Sequence, residues 1–248
     1  MSDLELRGVG LAYGARPALV DVSLTIAAGE RVAVVGPNGA GKSSLLRCLA
    51  GTARGRTGAI RLDGVPLEEL RRETLARRLA VVPQQVQLPF AIRVEEVVAL
   101  GRIPHQDPFR GPRAADREAV TTAIRRVGLE PLVGRDARDL SLGERQLVLI
   151  ALALAQQGGL LLLDEPTVHL DLRHQVQVME LLRELNERDG LTILAVLHDL
   201  NLAAHYFPRC LVLDGGRLVA DGPPAVALAP ARVEAVFGID PRLLAAPG

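Results

Sequence analysis

The feature that most limits what this chain can fold into is the run Gly36, Pro37, Asn38, Gly39, Ala40, Gly41, Lys42 and Ser43. It fits the phosphate-loop pattern G-x-x-x-x-G-K-[ST]. Its context fits too. The near-continuous apolar segment Arg31 to Val35 precedes it, as expected for a buried parallel strand. A helical pattern opens at Lys42, with Ser44 in its first turn. Glycines let the backbone curl so that successive N–H groups face one phosphate, and the helix start adds a positive dipole end. Lys42 can reach the β- and γ-phosphates, and the Ser43 hydroxyl can ligate Mg²⁺. The bland alternative is a glycine-rich strand-to-helix turn. Against it, Lys42 is the only lysine among 29 basic residues.

Composition removes several classes. The 248 residues carry equal numbers of acidic and basic side chains, and 48% are hydrophobic. High apolar content with no net charge excludes intrinsic disorder. A neutral balance and only 2% aromatic residues argue against nucleic acid as a partner. The longest apolar stretch, Leu147 to Leu163, is interrupted by Gln156, Gln157, Gly158 and Gly159, leaving pieces too short to span a bilayer. No basic region followed by an apolar run opens the chain, so no signal peptide is expected. Cys48 and Cys210 lack metal-site or CxxC spacing and read as reduced, mostly buried thiols.

Periodicity predicts short strands at Leu4 to Leu6 and Val20 to Ile26, then more between residues 55 and 83, interrupted by a helical piece near Leu67 to Arg78. Residues 86–157 read as a helical insertion, with helices over Val94 to Leu100, Arg113 to Val127 and Leu142 to Gln157. Strand–helix alternation returns with Leu160 to Asp164, Arg173 to Arg188 and Thr192 to Leu197. A hairpin turned at Asp214, Gly215 and Gly216 follows. The expected class is α/β: a mostly parallel sheet flanked by helices, with a helical lobe inserted.

Further candidates sit where such sheets place chemistry, at the carboxyl ends of strands. Asp164 and Glu165 follow four leucines. Asp164 can hold Mg²⁺ and Glu165 can polarise a water for attack on a γ-phosphate. An ordinary acidic loop explains the pair equally well. Ser141 and Glu144 form a capping box before a long apolar helix; the same helix start, with Gly143, suits an anion. His198 follows a strand and could bond a γ-phosphate, although a His beside Asp199 more often belongs to a local cap. Gln84 and Tyr13 are individually uninformative.

Taken in order, these residues resemble the nucleotide-binding domain of ATP-binding cassette (ABC) transporters, and the match covers almost the entire chain, 1–248, as one domain. It includes the aromatic A-loop at Tyr13, Walker A at Gly36 to Ser43, the Q-loop at Gln84 and the signature at Ser141 to Glu144. Walker B at Leu160 to Glu165, a D-loop ending in Leu170 and Asp171, and His198 complete it. The resemblance implies a RecA-like P-loop NTPase core, an N-terminal antiparallel β subdomain and an inserted helical subdomain at 86–157. It implies ATP and Mg²⁺ as cofactors. Tyr13 would stack on adenine, and the loop with Lys42 would hold the phosphates. Ser43 and Gln84 would meet Mg²⁺, with Asp164 in its outer shell. Glu165 would be the catalytic carboxylate and His198 would contact the γ-phosphate. Ser141, Gly143 and Glu144 of one copy would close over ATP bound by a second copy.

Two departures stand out. Leu142 replaces the first glycine of the usual LSGGQ signature, and Val168 and His169 replace the small residues usual in the D-loop. Gly101 to His105, Leu170 to Gln175 and the tail from Gly222 to Ile239 look like ATPases of iron-chelate, haem and cobalamin importers. Read locally, Gly101 is a helix C-cap followed by a proline turn. The resemblance implies work at the cytoplasmic face of the cell membrane, peripheral to permease subunits and indirectly coupled to a substrate-binding protein. A groove lined by parts of residues 85–105 would receive a permease helix. Alternatives are an importer ATPase for another cargo such as a metal ion, a soluble cassette ATPase without transport, and a P-loop kinase. The signature and the helical insertion argue against the kinase, and the absence of long coiled coils argues against the soluble cassette.

Overall fold

The computed structural model describes residues 2–84, 86, 90–107 and 111–240. In chain order it opens with β1 (Leu4–Tyr13), β2 (Arg16–Ile26), β3 (Arg31–Val35), α1 (Lys42–Leu49), β4 (Thr57–Leu62) and β5 (Val65–Pro66). Then come α2 (Arg72–Arg78), β6 (Leu79–Val82), α3 (Val94–Ala99), α4 (Ala114–Val127), α5 (Leu142–Ala155) and β7 (Leu160–Asp164). The remainder is α6 (Leu172–Asp189), β8 (Thr192–Val196), α7 (Leu200–Tyr206), β9 (Arg209–Asp214), β10 (Arg217–Gly222), α8 (Pro224–Ala227) and α9 (Pro230–Phe237).

Two sheets share the strands. One is antiparallel, in the order β2-β1-β4-β5. The other runs β10-β9-β3-β8-β7-β6 and is parallel except for the edge strand β10. The parallel strands are apolar on both faces because both faces are covered. Val32, Val34, Leu160, Leu162, Leu194 and Val196 pack with the antiparallel sheet and α1. Ala33, Val35, Leu161, Leu163, Ile193 and Ala195 face the other way, against α5, α6 and α7. Each fully buried aliphatic side chain contributes roughly 1.5–3 kcal/mol, so this double-sided core outweighs any single polar contact.

Between β6 and β7 the described residues hold helices, short 3₁₀ turns and no strand beyond isolated bridges. Along α5, Leu147, Val148, Ile150, Ala151, Ala153 and Ala155 are all buried, pointing in several directions. A helix apolar all round lies inside protein. Among the described residues no helix is long and apolar enough to cross a membrane. Both thiols are fully buried, and burial pushes Cys210 up to about 12.

Three local expectations change. The first hairpin is longer than Leu4 to Leu6 and Val20 to Ile26 suggested. Its register shifts between Leu6 and Val9, and again near Leu11, so the twofold alternation breaks where the strands continue. Gly101 is not a helix C-cap. It lies inside a 3₁₀ turn over Leu100–His105, where a Cβ would stand 2.2 Å from the Leu152 carbonyl oxygen, so only glycine lets the turn touch α5. The proposed groove over residues 85–105 falls partly on 85 and 87–89, which lie outside the described residues. Phe90, Val86 and Ile103 are exposed.

Candidate active site

The order of the parallel sheet builds the site. Adjacent strands β3, β8, β7 and β6 end on one edge, followed there by Gly36, His198, Glu165 and Gln84 respectively. Four sequence-distant signals therefore meet because parallel strands deliver their carboxyl ends together.

After β3 the loop turns into α1. Gly41 is the N-cap with φ +102°, and a Cβ there would lie 2.4 Å from the Ala18 carbonyl oxygen. The backbone of Gly36, Gly39 and Gly41 is in the left-handed range, which exposes N–H groups to a common point. No acidic residue stands in the first turn of α1 to compete for that positive end. Lys42 is buried; its Nζ donates to the carbonyls of Gly36 at 2.7 Å and Pro37 at 3.1 Å. Burial lowers its pKa, and Glu165 and Asp164 oppose the shift.

A cleft of about 420 Å³ opens beside this loop. Tyr13, Arg16, Pro17, Ala18, Glu165 and the residues from Asn38 to Ser44 line it. Tyr13 comes from the tip of the first hairpin and is half exposed, as a base-stacking ring would be. Arg47 donates to its hydroxyl at 3.4 Å. Bonds from Ser44 and then Arg47 lower the Tyr13 pKa. Arg16 was not singled out by sequence. Its signal was a cation three residues after Tyr13 in the same hairpin, and its Nη2 would stand 3.9 Å from a Cβ on Gly39.

At the end of β7, the Ser43 hydroxyl donates to Asp164 Oδ1 at 3.1 Å. Burial raises the Asp164 pKa; the Ser43 bond opposes this. Glu165 has φ +52°, uncommon for a glutamate, and its N–H donates to the Val196 carbonyl at 3.1 Å. Both of its carboxylate oxygens are engaged. Gln84 Nε2 donates to Oε2 at 2.7 Å, and His198 Nε2 meets Oε1. The structure thus places Gln84 and His198 on Glu165 itself. His198 is not part of the neighbouring helix cap: Asp199 alone caps α7, accepting from Asn201 and Leu202.

Ser141, Gly143 and Glu144 are not among the residues lining the cleft. Ser141 caps α5, accepting from Glu144 N at 3.2 Å, while its own N–H donates to Glu144 Oε2 at 2.8 Å. That backbone bond holds the Glu144 carboxyl below its usual range. Leu142 is exposed and lines a separate groove of about 450 Å³ with Gln84, Val86, Val97, Val148 and Leu149 among others. Asp171 caps α6. His169, at φ +62°, shares a cavity of about 190 Å³ with Glu165, Val168 and His198.

Residues 19–168 match the family model for ABC transporters. The chain is 45% identical to the hemin import ATP-binding protein HmuV of Pseudomonas putida, over 98% of this chain and 96% of that one. It is 36% identical to the iron(3+)-hydroxamate import ATP-binding protein FhuC of Bacillus subtilis, over 100% and 92%. A solved transporter described as metal-chelate type and inward-facing superposes with a TM-score of 0.86 at 30% identity, over 97% of this chain and 90% of that one. The cassette MJ0796, solved as a post-hydrolysis dimer with ADP and Pi, gives 0.77 at 29% identity, over 89% and 98%.

Proposed function

The chain belongs to the ABC transporter family of ATP-binding subunits, and on that footing we propose that it drives import of an iron chelate or haem. It works at the cytoplasmic face of the membrane beside separate permease subunits. The observation that carries the reading is Glu165, held by Gln84 and His198 at the strand edge that also bears the Lys42 loop. Relatives named for hydroxamate iron and hemin import support the cargo class.

The residues divide the work as follows. Tyr13 stacks on adenine. Backbone N–H groups from Gly36 to Ser44, with Lys42, hold the phosphates. Ser43, Asp164 and Gln84 offer hydroxyl, carboxylate and amide oxygens, an all-oxygen set suited to Mg²⁺. The Ser43 and Asp164 oxygens already stand 3.1 Å apart. Bound there, Mg²⁺ neutralises charge on the phosphate oxygens. Glu165 holds the attacking water and takes its proton, aimed by Gln84 and His198. In this reading a second copy supplies Ser141 and Gly143, which lie outside their own chain's cleft. The dimeric structure of the cassette MJ0796 supports that pairing.

ATPase activity per copy is expected to fall as the purified chain is diluted, and cells lacking the chain are expected to lose uptake of a ferric chelate or haem. Activity independent of dilution, or unchanged uptake of both cargoes, refutes the reading. K42A removes a buried charged donor. Nucleotide titration is expected to show affinity about 10- to 100-fold weaker.

A further inference from the structure

We infer that His174 is a positioning residue: its imidazole, pinned by Asp171, sets where the start of α5 stands against the start of α6. The inference rests on the shared-site reading above. Asp171 Oδ1 accepts twice from His174, from its backbone N–H at 2.9 Å and from ring Nδ1 at 2.9 Å. A carboxylate only accepts, so Nδ1 carries the hydrogen and the ring plane is held.

The face of that ring lies against Gly143. A Cβ at 143 would fall 2.3 Å from both Cγ and Cδ2 of His174, so the ring fills the space a side chain there would need. The contact crosses between two parts of the chain. Gly143 lies in the first turn of the helix that Ser141 and Glu144 cap. His174 lies in the first turn of the helix that follows the Glu165 loop. The imidazole is therefore a spacer between the segment lent to the partner copy and the loop behind the catalytic carboxylate. A misplacement of about 1 Å at such a segment can cost about a hundredfold in rate. Glycine at 143 thus serves the ring as well as any close approach by phosphate.

The test uses the full chain, with and without E165Q to trap the ATP-bound dimer. H174A is expected to bind ATP as wild type when dilute, because the Lys42 loop is untouched. Its turnover is expected to fall about tenfold or more, and the E165Q/H174A dimer to dissociate about tenfold more readily. G143A is expected to be impaired, and G143A/H174A to be no worse than G143A, since both changes act on one contact. H174N keeps a donor for Asp171 but lacks the ring whose face meets Gly143, and is expected to resemble H174A. It gives the same comparison should H174A fold poorly. Wild-type turnover in H174A or H174N, or losses from G143A and H174A that multiply independently, overturns the inference. Failure of E165Q alone to form an ATP-bound dimer would instead sink the shared-site reading.

Discussion

E165Q is expected to bind ATP normally and to hydrolyse it about 10²- to 10⁴-fold more slowly, the range for losing a positioned general base. The amide is nearly the same shape as the carboxylate. Its oxygen can still accept from Gln84, and its NH₂ can face the His198 ring. The surroundings therefore stay in place while the proton acceptor is lost. Single-turnover assays with radiolabelled ATP, beside an equilibrium binding titration, separate the two effects. Under the shared-site reading the variant also accumulates as a nucleotide-bound dimer. Normal turnover would remove Glu165 from its assigned role.

R102A is expected to lower the thermal unfolding midpoint by about 10 °C, with dilute ATP binding little changed. Arg102 is buried, and its fork donates to Asp116 at 3.0 Å, to the Ala155 carbonyl at 2.6 Å and to Gln157 Oε1 at 2.8 Å. Asp116 also accepts from Arg113 N, closing the start of α4. Gln156, which follows the last residue of α5, donates to the Leu79 carbonyl at 2.7 Å and also to that of Ala76. Arg77 in turn donates to Pro104 at 2.7 Å. One network thus ties α4 and the end of α5 to α2 and β6. Truncation strands the Asp116 carboxylate and a helix-terminal carbonyl in the interior. R102K should not restore the midpoint, because one ammonium cannot span three acceptors set for a planar fork. Calorimetry checks both variants; an unchanged midpoint in R102A would show the network to be dispensable.

The contrast between these two residues shows what the sequence disclosed. Glu165 was legible because four leucines announce a buried strand and chemistry gathers at strand ends. The phosphate loop was legible because its glycines, lysine and serine are consecutive. Arg102 was not, since its partners lie at 116, 155 and 157, and no local pattern links them. Gly101 read as a cap because glycine often ends helices, whereas its reason is a carbonyl from α5. The first hairpin was underestimated because shifted register erases the alternation used to find strands. The helices α7, α8 and α9 are short and went unread. His174 lay within a segment noted only for its likeness to importers; its contact with Gly143 needs the fold to appear.

The left-handed backbone at Glu165 also bears on how such sites decay. That conformation costs a glutamate about 1 kcal/mol or more and suits glycine and asparagine. On the proposed role of Glu165, drift toward either residue would abolish chemistry yet relieve the chain. Lineages released from selection would therefore be expected to retain well-folded, silent cassettes, with a degenerate partner still able to hold nucleotide opposite a working one.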